Sequence, residues 1–352
     1  MIKIKNLKLR FPQSINLSID ELFIEEGRIF SIIGPNGAGK TTLLNIIALF
    51  QKPDDGNIEI WGQNILNMKD VVNFRRKISF VFSQPYLFCG TVYDNIALPL
   101  RLRGVDGAKA VDEMLGLFKI GHLKSNMAKT LSQGEKYRLS LARAFVSRPK
   151  LLLLDEPFLS LDRVYKESLI NDLRGLIKPN GVSVIFVTQD QTEALTLADT
   201  IAVMKDGSIL QQGEPQHIFT MPASKEVADF IGAETLVEGM ITRKEDNLCF
   251  IKAGDNFLEV VSTYNEGDRV LACIRPEDVI IARQIDSNSA RNHFKAKIID
   301  IKPWGLEYKL NLYCGFNLIA SVTKQSIKNM DLKVKDEVFA VFKATAIHLI
   351  KR

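Results

Sequence analysis

Gly34-Pro35-Asn36-Gly37-Ala38-Gly39-Lys40-Thr41 follows the apolar run Ile29–Ile33 and leads into the helix-patterned run Thr42–Phe50. The spacing G-x-x-x-x-G-K-[ST] is that of a phosphate cradle. Its glycines let the backbone curl until successive N–H groups point at one phosphate chain. Lys40 sets a point charge on the outer phosphates, the Thr41 hydroxyl is available to Mg²⁺, and Thr42 beside it belongs with the nucleotide-binding residues. A helix starting near Lys40 aims the positive end of its dipole at the same oxygens. Gly34 to Thr42 therefore predicts a site for a nucleoside triphosphate and Mg²⁺.

Two further stretches have the composition of chemistry. Leu151-Leu-Leu-Leu-Asp155-Glu156-Pro157 is an apolar strand that delivers two carboxylates to one end of a sheet. Asp155 is suited to the Mg²⁺ shell and Glu156 to polarising an attacking water. The same acids could instead cap a following helix. Leu131-Ser132-Gln133-Gly134-Glu135 opens a helix-periodic run that reaches Arg148. Ser132 and Glu135 form an S-x-x-E capping box. A capped helix start with a glycine is also an anion-binding surface, and the residues alone leave both readings open.

The elements that must position these groups alternate between strand and helix over residues 1–232. Ile29–Ile33, Asn57–Trp61, Ile78–Phe82, Leu151–Asp155 and Ser183–Thr188 read as strands, the last three apolar on both faces, as in a helix-covered parallel sheet. Residues 88–148 read as a helical insertion, and Asp206-Gly207 as a hairpin turn. From Leu236 short alternating strands take over, in two sets (236–283 and 292–352) separated by a polar stretch. The expected fold is an α/β phosphate-loop domain with a helical subdomain, followed by an all-β domain of two OB-like barrels in tandem.

These ordered motifs make the chain similar to the ATPase subunits of ABC transporters. Leu131–Glu135 resembles the family signature L-S-G-G-Q and Leu151–Pro157 the Walker B strand. Gln84 falls at the Q-loop glutamine, which in the family serves the metal and the reaction, and Ser160-Leu161-Asp162 falls on the D-loop. Phe11 stands where a ring stacks on adenine. The resemblance implies ATP and Mg²⁺ as cofactors and a head-to-tail homodimer in which each ATP lies between one loop and the other copy's Ser132–Glu135. It also implies permease subunits in the membrane and an extracytoplasmic solute-binding protein, with this chain peripheral on the cytoplasmic face. Pro85–Phe88 would meet the permease or pack the helical insertion.

Three positions depart from the family pattern. Gln189 stands for the switch histidine, Gln133 for a glycine and Glu135 for a glutamine. Gln189 can donate a hydrogen bond to a γ-phosphate but carries no charge, and Glu135 adds negative charge where a helix end should face phosphate. A working but slow ATPase is expected.

In the C-terminal part, Cys273–Asp278 resembles an element of sugar, polyamine and oxyanion importers. Val322–Ser326 and Phe342–Ile350 resemble the closing strands of tungstate and molybdate importers. Tungstate or molybdate uptake is thus the first expectation, with an oxyanion on this domain near Lys324 or Lys343. Sulfate, polyamine or sugar import is the alternative. Both lysines could equally coat a barrel, and His348 reads as half-buried strand filling.

The bulk composition agrees with an ordinary folded protein. Of 352 residues, 46 are Lys or Arg and 41 Asp or Glu, giving a net charge of +5, too small to argue for nucleic acid. With a single ATPase half and no heptad run, a soluble ATP-driven clamp on nucleic acid or ribosomes is disfavoured. Cys89, Cys249, Cys273 and Cys314 are scattered without metal spacing. No apolar run approaches the ~18–20 residues that span a bilayer.

Overall fold

A computed structural model describes residues 1–10, 16–159, 161–254, 256–285 and 289–352. The Phe11 and Ser160 expectations lie outside these residues. The chain divides into two compact units, Met1–Ile218 and Phe219–Arg352.

In the first unit a six-stranded sheet runs in the order Ser208–Gly213, Thr200–Lys205, Ile29–Ile33, Ser183–Thr188, Leu151–Asp155, Ile78–Val81. All neighbours are parallel except the first pair, which is the hairpin at Asp206-Gly207. Burial on both faces explains the uninterrupted apolar runs. In Leu151–Asp155, Leu152 and Leu154 join one hydrophobic core, while Leu151 and Leu153 join the other. The first core is completed by the helices Val92–Arg101, Ala108–Leu117, Gln133–Phe145 and Arg163–Asn180. The second contains the helix Lys40–Ile47 and the inward residues of an antiparallel sheet ordered Leu17–Ile24, Ile2–Leu9, Asp55–Ile60, Gln63–Asn64.

One strand departs from expectation. Ile78–Val81 is only partly buried, because it is the sheet edge, whereas Ile29–Ile33 is buried throughout. The edge continues into an aromatic cluster: the Phe80 and Phe82 rings lie 4.5 Å apart, and Tyr86 meets Phe82 edge-on at 5.4 Å. Leu87 turns into the helical core while Tyr86 and Phe88 are more than half exposed. The stretch Pro85–Phe88 therefore packs the helical core through Leu87 and leaves two aromatic rings on the surface.

The second unit is all-β apart from short helices. One sheet orders Asn256–Val261, Leu248–Ala253, Thr235–Glu245, Arg269–Ile274, Ile347–Lys351; the other orders Ile280–Ala282, Glu337–Phe342, Asn292–Trp304, Glu307–Tyr313, Asn317–Thr323. The two sets are interwoven instead of strictly serial. The final strand returns to pair with Arg269–Ile274, Ile280–Ala282 pairs with Glu337–Phe342, and one apolar core serves both sheets. The unit also starts earlier than the break read after residue 232. The helix Lys225–Ile231 places Ala228 against Leu271 and Ile350, contacts that local composition does not reveal. Lys324 opens a short helix capped by Thr323, and both Lys324 and Lys343 are exposed. His348 is partly buried, its Nε2 3.0 Å from the Pro222 carbonyl.

Candidate nucleotide site

Parallel strands end their carboxyl termini on one edge, and the sheet order brings three such ends side by side. Ile33 pairs with Thr188 and Asp155 with Val187, so the loop after Ile33, the acids at Asp155-Glu156 and Gln189 converge. Asn36–Thr42, Glu156, Leu159 and Gln189 line an open cavity of about 480 Å³ there, with Asp155 outside its lining.

Lys40 begins the helix Lys40–Ile47, whose N-cap is Gly39 at φ 100°, a left-handed backbone that favours glycine. No side chain caps this helix, and its first residues Lys40, Thr41 and Thr42 line the cavity. The Lys40 ammonium is buried and donates to the carbonyls of Gly34 (2.8 Å) and Pro35 (3.0 Å), with Glu156 Oε1 at 3.9 Å. The Thr41 hydroxyl donates to Asp155 Oδ1 at 2.8 Å. Hydroxyl and carboxylate are the hard oxygen donors that Mg²⁺ uses when phosphates and water complete its shell, and the pair fits that ion.

Burial dominates the electrostatics. It lowers the pKa of Lys40 despite the opposing charges of Glu156 and Asp155. It raises Asp155, opposed by the Thr41 hydrogen bond and then Lys40. It also raises Glu156, opposed by Lys40 and helped by the like charges of Glu193 and Asp155. A desolvated carboxylate with a raised pKa is a better base than an exposed one. Glu156 also sits at φ 46°, a conformation unusual for a side chain of its size and met at functional turns.

The remaining expected residues lie elsewhere. Gln84 is exposed, after the neighbouring edge strand, and outside the cavity lining. Ser132, Gln133, Gly134 and Glu135 start the helix Gln133–Phe145. There the capping box is fully formed: Ser132 N and Oγ each donate to Glu135 Oε2 at 2.8 Å, and Glu135 N donates back to Ser132 Oγ. These bonds, led by the Ser132 backbone N–H, hold the Glu135 carboxyl below its usual range.

Sequence reasoning missed the groups behind the site. Glu193 is buried and accepts from the Thr188 hydroxyl, and Lys166 pairs with both Glu193 and Asp190. Tyr137 is fully buried. Burial first, then the charges of Glu193 and Asp155, push its hydroxyl well above the usual range. Only T-Q-D-Q-T-E, with acids one and four residues beyond Gln189, hinted at this layer.

Known proteins are similar to this chain along much of its length. The ABC transporter family model matches residues 17–159 and the TOBE domain model residues 288–349. The molybdate/tungstate import ATP-binding protein of Pyrococcus horikoshii is 38% identical over 331 residues, 93% of each chain. The spermidine/putrescine import ATP-binding protein of Nitrosomonas europaea is 34% identical over 335 residues, 93% of this chain and 92% of that one. A component of an ABC transporter complex from Clostridium perfringens superposes with a TM-score of 0.59 at 30% identity, covering 66% of this chain and 94% of its own. A dimeric ATP-binding cassette in a post-hydrolysis state, bound to ADP and Pi, gives 0.56 at 31% identity, over 61% and 99%. The chain belongs to the ABC transporter family: it is an import-type ATP-binding subunit, an ATPase coupled to transport, with a C-terminal TOBE domain.

Proposed function

We propose that this ATPase powers uptake of tungstate or molybdate. The observation that carries the cargo reading is the 38% identity, over 93% of both chains, to the relative named for molybdate/tungstate import. The resemblance of Val322–Ser326 and Phe342–Ile350 supports it. Polyamine import is the second reading, because relatives named for spermidine/putrescine import reach 36% identity. Uptake of labelled tungstate and spermidine, in parallel, into proteoliposomes carrying the chain with its permease and binding protein tests the choice. Tungstate uptake alone supports the first reading and spermidine uptake alone the second.

In the mechanism we propose, the backbone N–H groups of Gly34–Thr42 and the Lys40 ammonium bind the phosphates of ATP. Lys40 would exchange its contacts with Gly34 and Pro35 for β- and γ-phosphate oxygens. Thr41 and Asp155 would hold Mg²⁺, which screens the phosphate charge, with Gln84 reaching it only after its loop moves in. Glu156 would take the proton of the attacking water. Gln189 would donate to the γ-phosphate, a weaker stabiliser than a histidine that can be charged. Ser132–Glu135 would cover the ATP of a second copy, so that closure on ATP makes the dimer. The exposed Tyr86 and Phe88 would meet a permease at the cytoplasmic face, itself partnered by an extracytoplasmic binding protein. An oxyanion bound to the C-terminal domain would report a replete cell. Calorimetry of the full chain with tungstate, molybdate and sulfate tests that last point, and no heat from any of them removes it.

A further inference from the structure

Helix Arg163–Asn180 makes two contacts, one residue apart, that lead in opposite directions. Tyr165 faces the signature turn. Its ring fills the space where a Cβ on Gly134 would stand, with ring carbons 2.6 and 2.7 Å from that point. The Arg138 guanidinium lies over the ring at 5.0 Å, and Arg138 Nε donates to the Tyr165 hydroxyl at 2.8 Å. Arg138 is itself buried and makes a second bond to the same helix, 2.9 Å to Asp172. The helix Gln133–Phe145, which begins at the signature turn, is thereby gripped at two points one turn and more apart.

Lys166, next in sequence and so on a different face of the helix, reaches the loop that carries Gln189. Its ammonium contacts Asp190 Oδ2 at 2.5 Å and the Glu193 carboxylate. Asp190 in turn accepts from the backbone N–H groups of Thr192 and Glu193, and Glu193 accepts from the Thr188 hydroxyl. Both neighbours of Gln189, Thr188 and Asp190, are thus tied to one ammonium group. Glu193 is only 4% exposed, so this carboxylate depends on Lys166 for its charge partner.

We infer that Lys166 is a positioning residue for Gln189, and that Tyr165 and Lys166 together transmit the position of the signature turn to it. A helix is stiff over one residue, so a shift of Gly134 against Tyr165 moves Lys166 and with it the Gln189 loop. Charge pairs and packed rings of this kind are the contiguous contacts through which coupling travels. Because the signature turn would cover the other copy's nucleotide, the link makes hydrolysis in one site depend on closure of the other. The inference rests on the proposed role of Gln189.

The test is steady-state ATPase kinetics on the full-length chain. Lys166→Met is expected to lower kcat about tenfold with KM for ATP within about twofold of wild type, the pattern of a displaced group that acts in the transition state. Lys166→Arg restores most of the loss. Gln189→Ala combined with Lys166→Met turns over no more slowly than Gln189→Ala alone, since both act through one side chain. Tyr165→Leu, which removes both the ring against Gly134 and the bond to Arg138, lowers kcat several-fold. If Lys166→Met unfolds, Asp190→Asn replaces it, keeping a residue that caps the helix but removing the charge. A wild-type kcat in Lys166→Met, or a double variant showing the product of both losses, overturns the positioning role. A wild-type Tyr165→Leu overturns the link to the signature turn. Gln189→Ala with wild-type turnover refutes the reading of Gln189 itself and takes the inference with it; a slow Gln189→Ala beside an unaffected Lys166→Met refutes only the tether.

Discussion

Two helix starts in the first unit are built in opposite ways. The helix Lys40–Ile47 has a glycine at its cap and no side-chain partner for its first N–H groups. The helix Gln133–Phe145 has a closed capping box, with Ser132 and Glu135 satisfying each other. Unsatisfied donors at a helix start are tolerated only where something else will use them. An anion is what the dipole favours there. The first helix is therefore preorganised for phosphate. The second is already satisfied and carries a fixed carboxylate, so it must share or break its cap to touch the same ligand.

The largest expected effect is at the open end. Glu156→Gln should slow hydrolysis by about 10²–10⁴-fold, the usual contribution of a general base, and leave ATP affinity in place. Phosphate release and nucleotide-binding assays on one preparation check both halves. Equal losses in binding and turnover would mean that Glu156 holds nucleotide instead of activating water.

At the closed end, Gly134→Ala pushes a methyl into the Tyr165 ring. Displacing the turn should cost about tenfold or more in kcat/KM, since a shift near 1 Å suffices for such losses. A neutral Gly134→Ala would show that the turn does not contact nucleotide. Gln189→His, which supplies a donor able to carry charge, should raise kcat by up to about tenfold. An unchanged or lower rate contradicts the account of slow turnover.

The smallest effects sharpen the electrostatic half of the comparison. Glu135→Gln removes one negative charge at a helix start and should raise kcat/KM about two- to fivefold at low salt, shrinking as salt rises. Glu156→Gln should also raise the melting temperature of the nucleotide-free chain by a few degrees near neutral pH. The sign follows from the raised pKa of Glu156. The folded state holds its proton more tightly than the unfolded chain. The stabilising protonation is complete in acid and lost as pH rises through the raised value. The advantage of Gln should therefore vanish in acid, where both states are protonated, and grow toward neutrality.

What could be read from the residues was whatever lies contiguous in the chain. Gly34–Thr41, Asp155-Glu156 and the Ser132–Glu135 box each occupy a few consecutive positions, and each took the local structure its pattern required: a glycine-capped helix start, the end of a buried strand and a closed capping box. The strands were legible for the same reason, but not their order. Ile78–Val81 has the composition of a central strand and is partly exposed because no strand pairs with its outer side among the described residues. The return of Ile347–Lys351 to Arg269–Ile274 is invisible locally, since alternation specifies a face and not a partner. The support behind the site joins residues far apart in sequence. Lys166 meets Glu193, and Arg138 meets Tyr165 and Asp172, only once helices have packed.

The central claim is that the loop at Gly34–Thr41 is half a site, completed by Ser132–Glu135 of a second copy. Sedimentation of the Glu156→Gln chain with ATP and Mg²⁺ measures this directly. The account predicts a dimer with ATP, a monomer with ADP, and loss of the ATP dimer when Ser132→Arg is added. A monomer in both nucleotides, or an ATP dimer indifferent to Ser132→Arg, would contradict it.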